Sequence, residues 1–142
     1  MNASLARFMA VDYGEKRVGL AISDELGMIA SPAGFIARRA GKRAPVAEII
    51  RRAEALEARG FLMGLPLDGN GNETEWTAEV RRVGTEIEKR TNMPVKYLDE
   101  RFTTAASLRT IREMEGSTRG RKGDVDSMAA AILLQHALNV SS

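Results

Sequence analysis

Residues 7–19, with the sequence RFMAVDYGEKRVG, contain the pattern that decides the fold. The apolar run at residues 9–11 is typical of a strand that is buried on both faces. Asp12 and Gly14 follow this run, so a carboxylate and a residue that tolerates tight turns come at the end of the strand. An acid in this position either caps the turn by accepting hydrogen bonds from backbone amides or points into a functional site.

The composition limits the class of protein. A chain of 142 residues has the usual size of one domain with one core, and we expect a single domain over residues 1–142. The absence of cysteine excludes disulfide bonds and thiolate metal sites, and it fits a reducing compartment. The longest apolar run, at residues 128–134, is much shorter than the roughly twenty residues of a membrane span, and no signal-like segment precedes Asp12. We therefore expect a cytoplasmic protein with no membrane partner.

The basic residues are clustered although the net charge is small. A net charge of +2 does not by itself demand a nucleic-acid partner. Cations are concentrated at residues 42–43 and in the segment GSTRGRKG at residues 116–123, which has three glycines and no apolar anchor. This segment predicts a flexible cationic loop, in which Arg119, Arg121 and Lys122 bind phosphates. The alternative is an ordinary solvated connection.

The rest of the chain alternates between strand and helix patterns. A hairpin partner for the first strand is expected at residues 17–23, and a third strand at residues 28–37 is placed at a sheet edge because it contains Pro32. Further elements are expected as a helix over 45–59, a strand over 61–63, a helix over 72–91, a strand over 95–98, and helices over 103–115 and 124–139. This order predicts an α/β protein with a five-stranded mixed sheet, three antiparallel strands first, and helices packed on it.

Several local signals refine these elements. Gly60 is expected just past the end of the first helix, where glycine suits a left-handed conformation. Asn72 and Glu75 are expected to form a capping box at the start of the second helix. Trp76 is expected to anchor the core rather than to stack on a base. His136, the only histidine, is expected to pack or to lie at the surface, since no second imidazole is present to complete a metal site.

Carboxylates occur where the first and last strands end and where the last helix begins. Asp12 and Glu100 follow strands, and Asp124 and Asp126 begin the helix. Sites in open α/β sheets commonly lie beyond the carboxyl ends of the strands, so these acids could converge. Each helix-start acid also has an alternative role as a cap, and Asp99 is an alternative to Glu100 because adjacent strand residues point to opposite faces.

Converging carboxylates favour a divalent cation. Like charges in one site cannot all stay ionised without cations, and Mg²⁺ or Mn²⁺ prefers oxygen ligands. Two such ions about 4 Å apart stabilise the attacking and leaving oxygens of an in-line phosphoryl displacement. The sequence therefore favours phosphoryl chemistry with Mg²⁺ or Mn²⁺, most simply two ions.

Four segments of the chain resemble successive motifs of the YqgF (RuvX) family. They are DYGEKRVG at residues 12–19, GLP at 64–66, DERFTT at 99–104 and KGDVDS at 122–127. The resemblance covers nearly the whole chain, and four motifs in this order are highly specific. It implies a ribonuclease H-like fold and a nuclease that matures the 5′ end of pre-16S ribosomal RNA, with a Holliday junction resolvase as the older proposal.

The resemblance also implies the site residues. Asp12, Glu100 and Asp126 match the family's acidic trio by position, and they would be the catalytic residues and the metal ligands. Asp124 stands where the family often has another residue type, which favours Asp126. Apart from the resemblance, a nuclease also needs substrate contacts, and we expect these at Arg17, Arg101, Thr103, Arg119, Arg121 and Lys122.

Three hypotheses from different classes follow. The first is a metal-dependent nuclease that acts on structured RNA or branched DNA, with ribosomal particles as a further partner. Backbone contacts and two-metal chemistry serve both substrates, so both remain open. The second is a noncatalytic nucleic-acid-binding factor of ribosome assembly on the same fold. The third, a sugar-kinase or actin-like ATPase, is disfavoured because the chain has length for one lobe only and has no Walker loop.

Overall fold

A computed structural model describes residues 5–39, 41–101, 103–105 and 121–140, with side chains from residue 124 onwards in the last segment. Five strands form one sheet: β1 (Phe8–Tyr13), β2 (Arg17–Ser23), β3 (Ala30–Ala37), β4 (Gly60–Leu65) and β5 (Val95–Asp99). Their spatial order is β3-β2-β1-β4-β5. The first three strands are antiparallel neighbours, whereas β4 is parallel to β1 and β5 is parallel to β4. The predicted five-stranded mixed sheet is confirmed.

Helices cover both faces of this sheet. The structure gives the bounds of α1 (Val46–Ala55), α2 (Glu75–Thr91) and α3 (Arg121–Val140). Successive residues of β1 point to opposite faces, so Met9 and Val11 pack with α1 and α2 while Ala10 packs with α3. In the described part of the chain, no helix is long and apolar enough to cross a membrane.

Side chains of α3 bind the backbone of the sheet. Ser127 Oγ accepts a hydrogen bond from the amide of Gly34 at 3.1 Å and donates one to the carbonyl of Leu20 at 3.0 Å. Gln135 Oε1 accepts a hydrogen bond from the amide of Ala30 at 2.9 Å. These bonds fix α3 across β2 and the edge strand β3.

The end of α1 differs from the prediction. The helix ends at Ala55, and Glu57 adopts the left-handed conformation with a φ of 57°. Gly60 is instead the first residue of β4, where a methyl group would overlap the ring of Phe8. The prediction that Gly60 terminates the helix is therefore wrong, because this glycine serves close packing against an aromatic ring.

The start of α2 also differs. Thr74 and Thr77 form the capping box, each side chain accepting a hydrogen bond from the backbone of the other. The amide of Asn72 donates to the carboxylate of Asp68 at 2.9 Å, so Asn72 belongs to the preceding turn. The prediction of a capping box from Asn72 and Glu75 is wrong for this reason.

The last helix begins earlier than expected. It starts at Arg121 rather than near Asp124, so Arg121, Lys122 and Gly123 lie in its first turn instead of in the predicted loop. The remainder of that loop, including Arg119, lies outside the described residues. The helix predicted over residues 103–115 also lies outside them, apart from its first residues.

Two single-residue predictions are confirmed. Trp76 packs against the core on the α1 and α2 face, and its ring stacks on Tyr13 with centroids 5.5 Å apart. His136 is exposed on α3.

Candidate functional site

A row of residues crosses the sheet on the face that carries α3. Asp12 of β1 lies directly opposite Gly19 of β2. On its other side, the register that pairs Val11 with Met63 brings Gly64 of β4 next to Asp12. The neighbouring same-face residues of these three strands pack against α3, so the row faces α3 as well. Asp12 is thus flanked on both sides by a residue without a side chain.

Two other acids fill the space above these glycines. A methyl group on Gly19 would overlap the backbone carbonyl of Asp126 and would lie 3.1 Å from its Cβ. A methyl group on Gly64 would overlap the Oε2 atom of the Glu100 carboxylate. The start of α3 and the residue after β5 therefore approach the sheet on either side of Asp12. The three acids converge because neither glycine has a side chain that would occupy this space.

Burial separates these acids from the alternatives. Asp12, Glu100 and Asp126 are only 4%, 5% and 3% exposed. Asp124 is exposed on α3, and Asp99 is bound in an ion pair on the surface. The structure therefore brings Glu100 and Asp126, rather than Asp99 and Asp124, to Asp12.

Asp126 is paired with an arginine of the first hairpin. Arg17 Nε donates a hydrogen bond to Asp126 Oδ2 at 2.8 Å, with side-chain exposures of 18% and 4%. Arg17 was predicted to bind phosphate. In this structure its guanidinium neutralises the carboxylate of Asp126. A charge-assisted bond of this kind, largely out of water, is stronger than a surface ion pair.

The donor set fits a hard divalent cation in its chemistry. Asp12, Glu100 and Asp126 offer only oxygen ligands, and burying three carboxylates is costly unless cations compensate them. Within the described residues, no group of three or more acidic or histidine side chains is arranged so that it could hold a metal ion. The residue types therefore fit Mg²⁺ or Mn²⁺, and one of the three carboxylates, that of Asp126, is bound by Arg17.

Arg101 connects the end of β5 to the loop between β4 and α2. Its Nε lies 3.1 Å from both carboxylate oxygens of Asp99, and its Nη2 lies 2.8 Å from Oδ2. A methyl group on Gly71 would be 3.1 Å from Arg101 Nη1, so the guanidinium also lies against the loop. The hydrogen bonds from Arg101 hold the pKa of Asp99 below its usual value. Arg101, predicted as a substrate contact, thus supports the loop beside Glu100.

Thr103 supports the backbone of Glu100. Its amide and its hydroxyl both donate to the Glu100 carbonyl, at 3.1 Å and 2.9 Å, and the residue is buried. These bonds fix the turn that directs the Glu100 side chain over Gly64. Its role as a substrate contact stays a prediction, as does that of Arg121 and Lys122, for which the structure describes the backbone only.

Sequence reasoning missed the part that Gly19 and Gly64 play in the site. Both lie inside segments predicted as strands or at their ends, and both belong to the quoted motifs. A glycine within a strand weakens the strand and often marks a close approach of another group. That signal was present at Gly19, in the middle of the apolar segment of β2.

The fold and the three converging acids define a ribonuclease H-like α/β protein with a candidate nuclease site. The structure is similar to that of T. thermophilus RuvC, solved in complex with a Holliday junction substrate, with a TM-score of 0.60. The likeness covers 95% of this chain and 94% of that chain at 14% sequence identity, so it shows the fold.

The sequence comparisons identify the family. The family model described as RuvX, Holliday junction resolvase, matches residues 6–140, and the chain belongs to this family. A relative from Dictyoglomus thermophilum is 36% identical over 136 residues, which cover 96% of this chain and 97% of the relative. A relative from Rickettsia bellii (strain OSU 85-389) is 34% identical over 134 residues, which cover 94% and 86%. Both relatives carry the name "Putative pre-16S rRNA nuclease".

These comparisons confirm the predicted class. The chain is a nuclease, a hydrolase that acts on phosphodiester bonds, on the evidence of its family and of relatives that match over nearly its whole length.

Proposed function

We propose that this protein is a metal-dependent endonuclease that processes the 5′ end of pre-16S ribosomal RNA, with Asp12, Glu100 and Asp126 as its catalytic residues and metal ligands. The observation that carries the proposal is the convergence of three buried carboxylates on one row of the sheet, over two glycines. The names of the relatives support pre-16S ribosomal RNA as the substrate, and ribosomal particles stay a predicted further partner.

The roles of the acids follow from their places in the row. Asp12 lies between the other two and would be the central metal ligand, while Glu100 and Asp126 would complete the site from either side. Mg²⁺ or Mn²⁺ bound there would polarise the phosphate and stabilise the charge that develops on the attacking and leaving oxygens. Each acid is carried by a different element, Asp12 by β1, Glu100 by the segment after β5, and Asp126 by α3.

Arg17 has two tasks in this proposal. In the metal-free protein it neutralises Asp126, which would otherwise be a buried carboxylate beside two others. If Asp126 held a metal ion through Oδ2, the guanidinium would be released from that bond. A planar guanidinium with several donors then suits a substrate phosphate at the edge of the site.

Replacing Arg17 tests this exchange through metal affinity. We expect Arg17→Gln to bind Mn²⁺ about tenfold more tightly than the wild type, because about 1.4 kcal/mol of competition from a partly buried ion pair is removed. Titration of Mn²⁺ followed by electron paramagnetic resonance measures this affinity without any turnover. The same variant should bind nucleic acid less tightly in the presence of metal.

Arg52→Gln is the matched control, since Arg52 pairs with Glu48 at 2.9 Å on the opposite face of the sheet. Its Mn²⁺ affinity should equal that of the wild type. Weaker Mn²⁺ binding by Arg17→Gln would contradict the exchange, because an arginine that only orients Asp126 for the metal would cost affinity when removed.

A cleavage assay tests the proposed function directly. A labelled fragment spanning the 5′ end of pre-16S RNA and a four-way DNA junction are incubated with the full chain, with and without Mg²⁺ or Mn²⁺. We expect metal-dependent cleavage of the RNA. Cleavage of the junction alone would favour the second candidate, a resolvase, which the description of the family model supports. Tight binding to both substrates without cleavage by either metal would contradict the nuclease assignment.

A further inference from the structure

Four exposed cations lie at the end of the sheet where Asp12 lies. Lys16 is in the turn between β1 and β2, and Arg39, Lys42 and Arg43 are in the connection from β3 to α1. We call these four residues the strand-end strip. The amide of Arg38 donates to the carbonyl of Lys16 at 2.8 Å, so the connection runs directly beside the turn.

Arg38 fixes this connection to the sheet. Its Nη1 donates to the carbonyl of Gly14 at 2.9 Å, and its guanidinium carbon lies 4.7 Å from the centroid of the Tyr13 ring. Tyr13 follows Asp12 and points to the other face of the sheet, among the residues that pack with α1 and α2. The strip therefore begins at Lys16, the residue before Arg17, and continues along the sheet end to Arg43.

The strip ends beside a cavity of about 750 Å³ between the start of α1 and α2. Arg43 lines this cavity together with the first turn of α1. The amino end of a helix carries partial positive charge, and Glu48, the acid of this first turn, is paired with Arg51 and Arg52. Arg43 thus places the last cation of the strip at the start of α1.

The cations of the strip differ from the arginines of the helices. Arginines on α1 and α2 are neutralised by glutamates on the same surface. These pairs are Arg51 and Arg52 with Glu48, Arg81 with Glu73, Arg82 with Glu79, and Arg90 with Glu86. In the described part of the chain, none of the four strip cations takes part in an ion pair, and Glu15 is the one acid in the turn that carries Lys16. The strip therefore keeps a net positive charge, with Glu15 as its one neighbouring acid in that turn.

We propose that the strand-end strip binds the phosphodiester backbone of the substrate beyond the cleaved bond and leads it from the acids around the sheet end towards α1. The proposal rests on the proposed function, since it takes the acids as the point of cleavage. Exposed lysines and arginines bind phosphates through charge, with release of counterions and without reading bases. The strip should therefore bind RNA and DNA of unrelated sequence alike.

Two matched triple variants test the strip. The first combines Lys16→Ala, Arg39→Ala and Lys42→Ala. The second combines Arg59→Ala, Lys89→Ala and Lys96→Ala, which also removes one arginine and two lysines, all exposed and at the opposite end of the sheet.

Binding is followed by fluorescence anisotropy with a pre-16S RNA fragment and with a DNA duplex, in EDTA and over roughly 50 to 300 mM salt. For the strip variant we expect the slope of log affinity against log salt to become shallower by about two, on both nucleic acids. The control variant should keep the slope of the wild type. If the strip variant does not fold in a thermal melt, its three single substitutions replace it, each expected to reduce the slope by about 0.7.

Equal changes of slope in both triple variants would overturn the proposal, because net charge alone would then explain the binding. An unchanged slope in the strip variant would overturn it as well. Failure of the nuclease function is distinguishable from failure of the strip. If the wild type cleaves no substrate but the two triple variants differ in slope as expected, the proposed function fails and the strip proposal stands.

Discussion

Asp12→Asn is expected to lower metal-dependent cleavage by about a thousandfold or more. The amide keeps the shape of the side chain but loses the negative charge at the centre of the row, between Glu100 and Asp126. Metal ions supply several kcal/mol of transition-state stabilisation in such sites, and about 4 kcal/mol corresponds to a thousandfold in rate. Single-turnover cleavage of the RNA fragment at saturating Mg²⁺ measures the effect on the chemical step.

The stability of the same variant separates a metal site from a structural cap. Without divalent ions, the melting temperature of Asp12→Asn should equal or exceed that of the wild type, because repulsion among buried carboxylates is relieved. Adding Mg²⁺ should raise the melting temperature of the wild type and raise that of the variant much less. Asp124→Asn, an exposed acid on the same helix as Asp126, is the control and should respond as the wild type does. If Asp12→Asn cleaves the RNA as fast as the wild type does, Asp12 is not a catalytic residue.

Gly19→Ala is expected to destabilise the fold by about 3 kcal/mol, the cost of forcing an extra methyl group into a packed interior. The new methyl group would overlap the Asp126 carbonyl, which belongs to the backbone of α3 and cannot move without the helix. For a chain of this size the change corresponds to a fall in melting temperature of about 10 °C. The remaining folded protein should cleave poorly, since α3 would carry Asp126 away from Asp12.

Gly69→Ala is the matched substitution for this test. A methyl group on Gly69 meets nothing within 4 Å, and Gly69 does not adopt a positive φ. Its melting temperature and cleavage should therefore stay at the wild-type values. If Gly19→Ala also melts and cleaves as the wild type does, the close approach of α3 to the sheet is not what positions Asp126.

The architecture could be predicted from the sequence because each strand and helix has a recognisable local pattern of apolar residues. Buried strands are short apolar runs, and the helices show apolar residues at helical spacing. The errors concern boundaries, where several local solutions compete. The Asp68 carboxylate accepts a hydrogen bond from the amide of Asn72, so Thr74 rather than Asn72 caps α2. Gly60 packs against the ring of Phe8 instead of ending α1. Such choices depend on contacts that a local pattern does not contain.

The candidate site could be predicted only in part from the sequence, for the same reason. The types of residue and their places at strand ends predicted Asp12 and its partners. The choice of Glu100 over Asp99 required the register of β5 against β4, and the glycine row required the registers of three strands together. The bond between Arg17 and Asp126 joins residues 109 positions apart, and no local signal predicts such a pair.

The hydrogen bonds from α3 to β3 also bear on how the protein avoids aggregation. An edge strand with unused amides is a template on which a second chain can add a strand. On β3, the amides of Ala30 and Gly34 are already taken by Gln135 and Ser127, and Pro32 has no amide hydrogen to offer. The helix that carries Asp126 therefore also occupies donors along the exposed border of the sheet, and a chain whose α3 is displaced would offer that border to its neighbours.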